Sequence, residues 1–206
     1  MSEVKSLEKI KKFWPKEAPD INNIPKYIEK YKEELIVIKY GGNVLIDRKI
    51  FNNFIEDITV LNKLGLSIIV VHGGGPRIER ELHKENIQTK FINGLRVTDK
   101  KVIKIVERVL IEFNNDIVNA LKKRGLEATP INTKINNIIN IIPDKKELGF
   151  VGVPKNINVD IIQDILVQNK IPIVAPLGLD DNNQTYNING DSAASAIAKK
   201  LKSRRL

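Results

Sequence analysis

Two stretches decide the fold: LIVIKYGGN at residues 35–43 and LSIIVVHGGGP at residues 66–76. Each is an unbroken, largely β-branched apolar run that stops at glycines, the pattern of a strand covered on both faces. Between them Asp47 can cap a helix whose apolar positions Phe51, Phe54, Ile55, Ile58 and Leu61 keep helical spacing until Gly65 ends it. After the second glycine loop a short helix is expected over Arg77 to Lys84. Strand, glycine turn and helix, twice in succession, predict an α/β fold: a three-layer αβα sandwich around a mainly parallel sheet.

Downstream, Thr98 or Asp99 caps a long helix whose buried stripe is Val102, Ile105, Val106, Val109, Phe113, Ile117 and Leu121, with Gly125 just past its end. The stretch from Ala128 to Val153, where INNIINII (135–142) and LGFVGV (148–153) flank Pro143 to Lys146, predicts a β-hairpin lying over the main sheet and the site. Asn158 opens a further helix, and IPIVAP (171–176) returns as a strand. TYNIN (185–189) is short and extended, and Asp191 begins an Ala-rich helix in which the chain is expected to stop, with no following strand. Upstream, Val4, Leu7, Ile10 and Phe13 mark a helical face, and Pro15, Pro19 and Pro25 make 15–25 a linker. Residues 1–34 therefore read as a helix and linker, and 35–206 as one lobe.

The 206 residues are 42% hydrophobic and 29% charged, a globular composition. No apolar run approaches the roughly 20 residues that span a bilayer, so no membrane partner is expected. Glu3, Lys5, Glu8 and Lys9 interrupt any signal-peptide core, and a cytoplasmic location is expected. With no cysteine there is no thiol nucleophile or disulfide, and two histidines offer little for a metal site, so no metal ligands are assigned. The net charge of +9 comes from 34 basic residues offset by 25 acidic ones, and reads as a solvated surface rather than a nucleic-acid groove.

Four segments could carry chemistry. Lys39 stands at the carboxyl end of the first strand, where α/β sheets bind ligands, and Gly41 and Gly42 let backbone N–H groups approach an anion. The alternative is a plain tight turn with Lys39 in solvent. Gly73, Gly74 and Gly75 expose successive amides at a helix N-terminus, in neither a Walker A nor a dinucleotide pattern. His72 beside them reads as structural or orienting rather than as a general base. Arg96, in NGLRVT (93–98), offers a planar fork for a carboxylate. In YNINGD (186–191) alternation sets Asn187 and Asn189 on one face, while Asp191 is either an N-cap or an organiser of lysine ammonium groups.

Together IKYGGN, VVHGGGP, NGLRVT, LGFVG and YNINGDSAA, in this order and spacing, resemble the amino-acid kinase family, from about Leu35 to the last residue. Within the family the nearest branch phosphorylates the γ-carboxylate of N-acetyl-L-glutamate with ATP and Mg2+ in arginine biosynthesis. The resemblance implies that Lys39 is the catalytic lysine and that Gly42 lies in the loop touching nucleotide phosphates. It implies that Gly74 and Gly75 cradle substrate and transition state, and that Arg96 grips the α-carboxylate. Asn187 and Asn189 would fix the acetylamino and carboxyl groups, and Asp191 would organise the lysines. A homo-oligomer, dimer or hexamer, is implied, with the N-terminal helix interlacing dimers.

Three departures are visible. The family's second lobe, which supplies most of the ATP site and a second catalytic lysine, has no counterpart here, so the chain is expected to bind substrate weakly and phosphorylate poorly or not at all. TPINTKINN (129–137) lacks a Gly-Lys-Asp-Gly pattern, and Gly190 stands where alanine is usual. Branches acting on glutamate or aspartate, and a non-catalytic one-lobed binding module, remain as alternative readings.

Overall fold

A computed structural model describes Lys11, Trp14 and residues 20–31, 34–41, 47–203 and 205–206. The expected N-terminal helix, residues 15–19 of the linker and Gly42 lie outside the described residues, Lys11 and Trp14 excepted. A 3-10 turn at Ile21–Asn23 leads into α1 (Ile24–Tyr31), with Pro25 in its first turn, where its missing N–H costs nothing. It falls within the segment expected to be helix and linker, and its proline begins a helix rather than breaking one.

Next come β1 (Leu35–Tyr40), α2 (Arg48–Lys63), β2 (Ser67–His72) and α3 (Gly75–Lys84). A small ribbon, β3 (Phe91–Ile92) and β4 (Leu95–Arg96), precedes the long α4 (Lys100–Lys123). Then follow β5 (Ala128–Ile131), β6 (Ile139–Pro143), β7 (Gly152–Ile157), α5 (Val159–Val167), β8 (Ile171–Val174), β9 (Leu177–Leu179), β10 (Thr185–Asn187) and α6 (Gly190–Lys200). Asp47, Asp99 and Asn158 cap α2, α4 and α5 through side-chain oxygens that accept backbone N–H bonds. Gly65 and Gly125, just beyond α2 and α4, take the positive φ that ends a helix without strain.

The central sheet is parallel throughout, in the order β1-β2-β8-β5. Side-chain alternation divides it into two cores. Ile36, Ile38, Tyr40, Ile68 and Val70 face α2 and the carboxyl half of α4, where Phe113, Ile117 and Leu121 pack. Val37, Ile69, Val71 and Val174 face α5 and α6. These two helical layers on one sheet are the expected sandwich. A third cluster joins the amino half of α4 to Ile78 and Leu82 of α3, which is why α4 buries Ile103 and Leu110 besides its expected stripe.

Several boundaries differ from the sequence reading. Ala128–Ile131 joins the main sheet as an edge strand, and the antiparallel hairpin is β6 with β7, whose second arm begins at Gly152. The helix after the glycine loop starts at Gly75, so that glycine is its first residue and Gly74 its N-cap. The chain does not stop in a helix. After α6, Leu201 caps, Lys202 turns at positive φ, and Arg205 bridges β1: the Val37 N–H donates to the Arg205 carbonyl at 3.1 Å. None of the described helices is long and apolar enough to cross a membrane.

Phe113 is fully buried and touches the rings of Tyr40, Phe51 and His72 while the Arg77 guanidinium covers it at 3.9 Å. Phe113→Ala therefore removes a side chain shared by the sheet and two helices. Urea unfolding is expected to show a loss of about 3–5 kcal/mol.

Candidate active site

Parallel strands bring the carboxyl ends of β1 and β2 to one edge of the sheet, and beyond that edge opens a cleft of about 720 Å3. Lys39, Gly41, Gly74, Gly75, Arg96, Asn187, Asn189 and Asp191 all line it. Of the residues singled out from sequence as site groups, Gly42 is outside the described residues and every other one reaches this cleft. The hairpin that flanks the cleft is the β3–β4 ribbon, with Phe91, Leu95 and Arg96, while the turn before β7 contributes Val151.

Lys39 shares the alternation of Val37, so its side chain leaves β1 on the side of α6. There its Nζ lies 3.0 Å from the Asp191 carboxylate. A Cβ on Gly41 would sit 2.8 Å from that Nζ, which shows how closely the flexible tip of the lysine folds back over the loop. Asn189, not Asp191, caps α6: its Oδ1 accepts the N–H groups of Asp191 and Ser192. That leaves the Asp191 carboxylate for Lys39, while Asn189 lines the cleft beside it. The pair is half in solvent and adds little stability, on the order of 0–1 kcal/mol. Its effect is to aim the ammonium.

On β2, His72 shares the alternation of Ile68 and Val70 and so turns the other way, beneath the glycine loop and toward α4. It is fully buried. Nδ1 lies 2.9 Å from the Gly73 carbonyl, and Nε2 lies 3.1 Å from the Asn114 amide nitrogen, which also donates to the Ile173 carbonyl. Asn132 donates in turn to Asn114 Oδ1 at 3.4 Å. A carbonyl accepts and an amide NH2 donates, so the proton of a neutral imidazole belongs on Nδ1. Burial lowers the His72 pKa from the usual 6.5 to about 4; the Gly73 carbonyl opposes that shift and the Arg77 charge reinforces it. The loop itself is tied to its neighbour by the Gly73 N–H, which donates to the Tyr40 carbonyl at 2.6 Å.

Arg96 is 8% exposed, held by β4 across from Phe91, whose ring its guanidinium covers at 4.6 Å. Nη1 donates to the Glu79 carboxylate at 2.6 Å and to the Thr89 hydroxyl at 2.5 Å, while Nη2 approaches the Gly75 carbonyl at 3.5 Å. A guanidinium carries five N–H donors, so a ligand carboxylate can still be gripped beside Glu79.

Sequence reasoning missed the groups behind these residues: Glu79 and Thr89 behind Arg96, and Asn114 and Asn132 behind His72. Asn114 carries the one usable signal, an amide inside the apolar stripe of α4 that must find partners once buried. Chemically the cleft combines three cations (Lys39, Arg80 and Arg96), the carboxylates of Glu79 and Asp191, two side-chain amides and a helix N-terminus rich in N–H groups, a set suited to an acidic ligand.

A model of the amino acid kinase family matches residues 34–206. Acetylglutamate kinase of Pelagibacter ubique (strain HTCC1062) is 54% identical over 93% of this chain and 67% of its own length. Acetylglutamate kinase of Campylobacter fetus subsp. fetus (strain 82-40) is 42% identical over 87% of this chain and 65% of its own length. The chain thus spans about two thirds of the length of the curated relatives it matches. Among solved structures, smu.665 from Streptococcus mutans UA159 superposes with a TM-score of 0.74 at 30% identity, covering 82% of this chain and 69% of that one.

Because the folded His72 binds its proton only near pH 4 and the unfolded one near 6.5, acid favours unfolding across that window. Stability is whole above about 6.5, falls as pH drops, and has lost roughly 3 kcal/mol from this group by about pH 4. His72→Gln starts lower but lacks this titration. Urea unfolding of both proteins across the window should show the gap between them closing toward acid.

Proposed function

The chain belongs to the amino acid kinase family, and on that footing we propose that its cleft takes N-acetyl-L-glutamate and holds the γ-carboxylate for phosphorylation by ATP. The observation that carries this reading is that Lys39 and Arg96, from distant segments, line one cleft together with Asn187 and Asn189. The names of the curated relatives support the choice of substrate. Residues 35–206 act as the substrate-binding lobe in this reading, and Lys39, Gly41 and Gly42 are its contribution to the nucleotide phosphates.

Both reactants are anions, so alignment and charge neutralisation dominate catalysis. A carboxyl group is already ionised near pH 7, so the nucleophile needs no general base. The carboxylate oxygen bonds to the γ-phosphorus as the bond to the β-phosphate oxygen breaks, giving an acyl phosphate and ADP. Arg96 holds the α-carboxylate at the far end. Asn187 and Asn189 donate to the acetylamino and carboxyl groups. Lys39, aimed by Asp191, neutralises charge on the transferring group, and the Gly74 and Gly75 amides hold the oxygens around it. An ammonium beside close-approaching glycine amides is a donor set that fits phosphate oxygens. Mg2+ accompanies ATP in this scheme.

Isothermal titration should show the chain binding N-acetyl-L-glutamate in preference to glutamate or aspartate, and preference for an unacetylated amino acid would end this reading. Arg96→Lys replaces the fork with a point charge, and its affinity is expected to fall by about tenfold or more.

A further inference from the structure

The interior of the loop has a feature the reaction scheme does not use: a buried histidine bonded to the carbonyl of the very next residue. In a planar trans peptide the C=O of one residue and the N–H of the next point in opposite directions. The described residues contain no cis peptide, so whatever holds the Gly73 carbonyl also decides where the Gly74 N–H points. We propose that His72 is a positioning residue for the glycine loop: by holding the Gly73 carbonyl inward, it turns the Gly74 N–H out to the cleft, where an anionic ligand meets it.

The surroundings leave His72 one way to do this. Asn114 presents an N–H to Nε2, so that nitrogen must accept, and the ring proton goes to Nδ1 and the Gly73 carbonyl. Asn114 is in turn held by the Ile173 carbonyl and Asn132, so its amide cannot rotate to reverse the polarity without losing both. Phe113 lies against the ring edge-on at 5.0 Å and limits its tilt. Glycines 73 to 75 have no side chains to resist rotation of the Gly73–Gly74 peptide. A rotated peptide would present a carbonyl to the cleft and repel the anion the site is built for. The neighbouring Gly73 N–H is committed to the Tyr40 carbonyl, so the outward donors of this loop are those of Gly74 and Gly75. The inference rests on the cleft being an acidic-metabolite site, although its first two tests do not.

Three measurements on the purified chain decide it. Nitrogen-15 shifts of the His72 ring at neutral pH should show Nδ1 protonated and Nε2 bare; the reverse tautomer overturns the proposal whether or not any variant folds. The Gly74 amide resonance should move strongly in His72→Gln, whose amide reaches only the Nε2 position. It should move less in His72→Asn, whose NH2 reaches the Nδ1 position and can still donate to Gly73. Titration with N-acetyl-L-glutamate should find His72→Gln about tenfold weaker than wild type and His72→Asn recovering most of that loss. Equal losses in both variants with the Gly74 amide unmoved would make His72 a packing residue only and overturn the proposal. If the wild type does not bind N-acetyl-L-glutamate, the substrate assignment fails, and the ring and amide readouts still settle the role of His72.

Discussion

The level register of β1 against β2 is the constraint on which the site depends. Lys39 pairs with Val71 and Tyr40 with His72 in one parallel ladder, so both strands release their glycine loops at the same height. The Gly73 N–H then closes the gap by donating to the Tyr40 carbonyl at 2.6 Å. A slip of one residue would invert the side chains of one strand against both cores, exchanging Val37 for Ile38 or Ile69 for Val70 on the inner faces. With both faces apolar, that slip is opposed from two sides. The same alternation sends Lys39 toward α6 and His72 toward α4, so one loop pair is served by a cation on one face and an anchor on the other.

Much of this is local chemistry and was legible in the chain. Apolar β-branched runs ending in glycines marked β1 and β2, helical periodicity marked α2 and α4, and Asp47, Asp99 and Asn158 marked their starts. The site residues were legible for a related reason: each sits where a strand or ribbon hands over to a turn or helix, which is where a backbone can present amides and charges. It is the resemblance to a family that singles those positions out as candidates among turns of the same kind.

What escaped was long-range. Whether Ala128–Ile131 belongs to a hairpin or to the central sheet depends on Ile171–Val174, which arrives far later in the chain and lies between it and β2. The bridge from Arg205 to β1 joins the two ends of the lobe, and no window of local sequence contains both partners. Asp191 could have capped its own helix, and the choice fell to Asn189 because an N-cap must precede the first helical turn, whereas the helix begins at Gly190. The side chains behind the site, Glu79 and Asn132, carry no local pattern at all; their roles exist only through contacts made across the cleft and beneath it.

The resting electrostatics of the cleft fit a site built to exchange anions. Both of its central cations already have a carboxylate partner, Asp191 for Lys39 and Glu79 for Arg96, yet those carboxylates are 72% and 59% exposed. An exposed partner contributes little binding energy, because water screens it and competes for it. It therefore fixes the direction of the cation without saturating it. The contrast with burial on the cation side is informative: Arg96 has 7% of its side chain exposed, so its charge is expensive to leave alone and Glu79 offsets that desolvation between ligand visits. A dianionic ligand entering such a site meets charges that are aimed in advance, and neither cation has to be freed from a buried ion pair first.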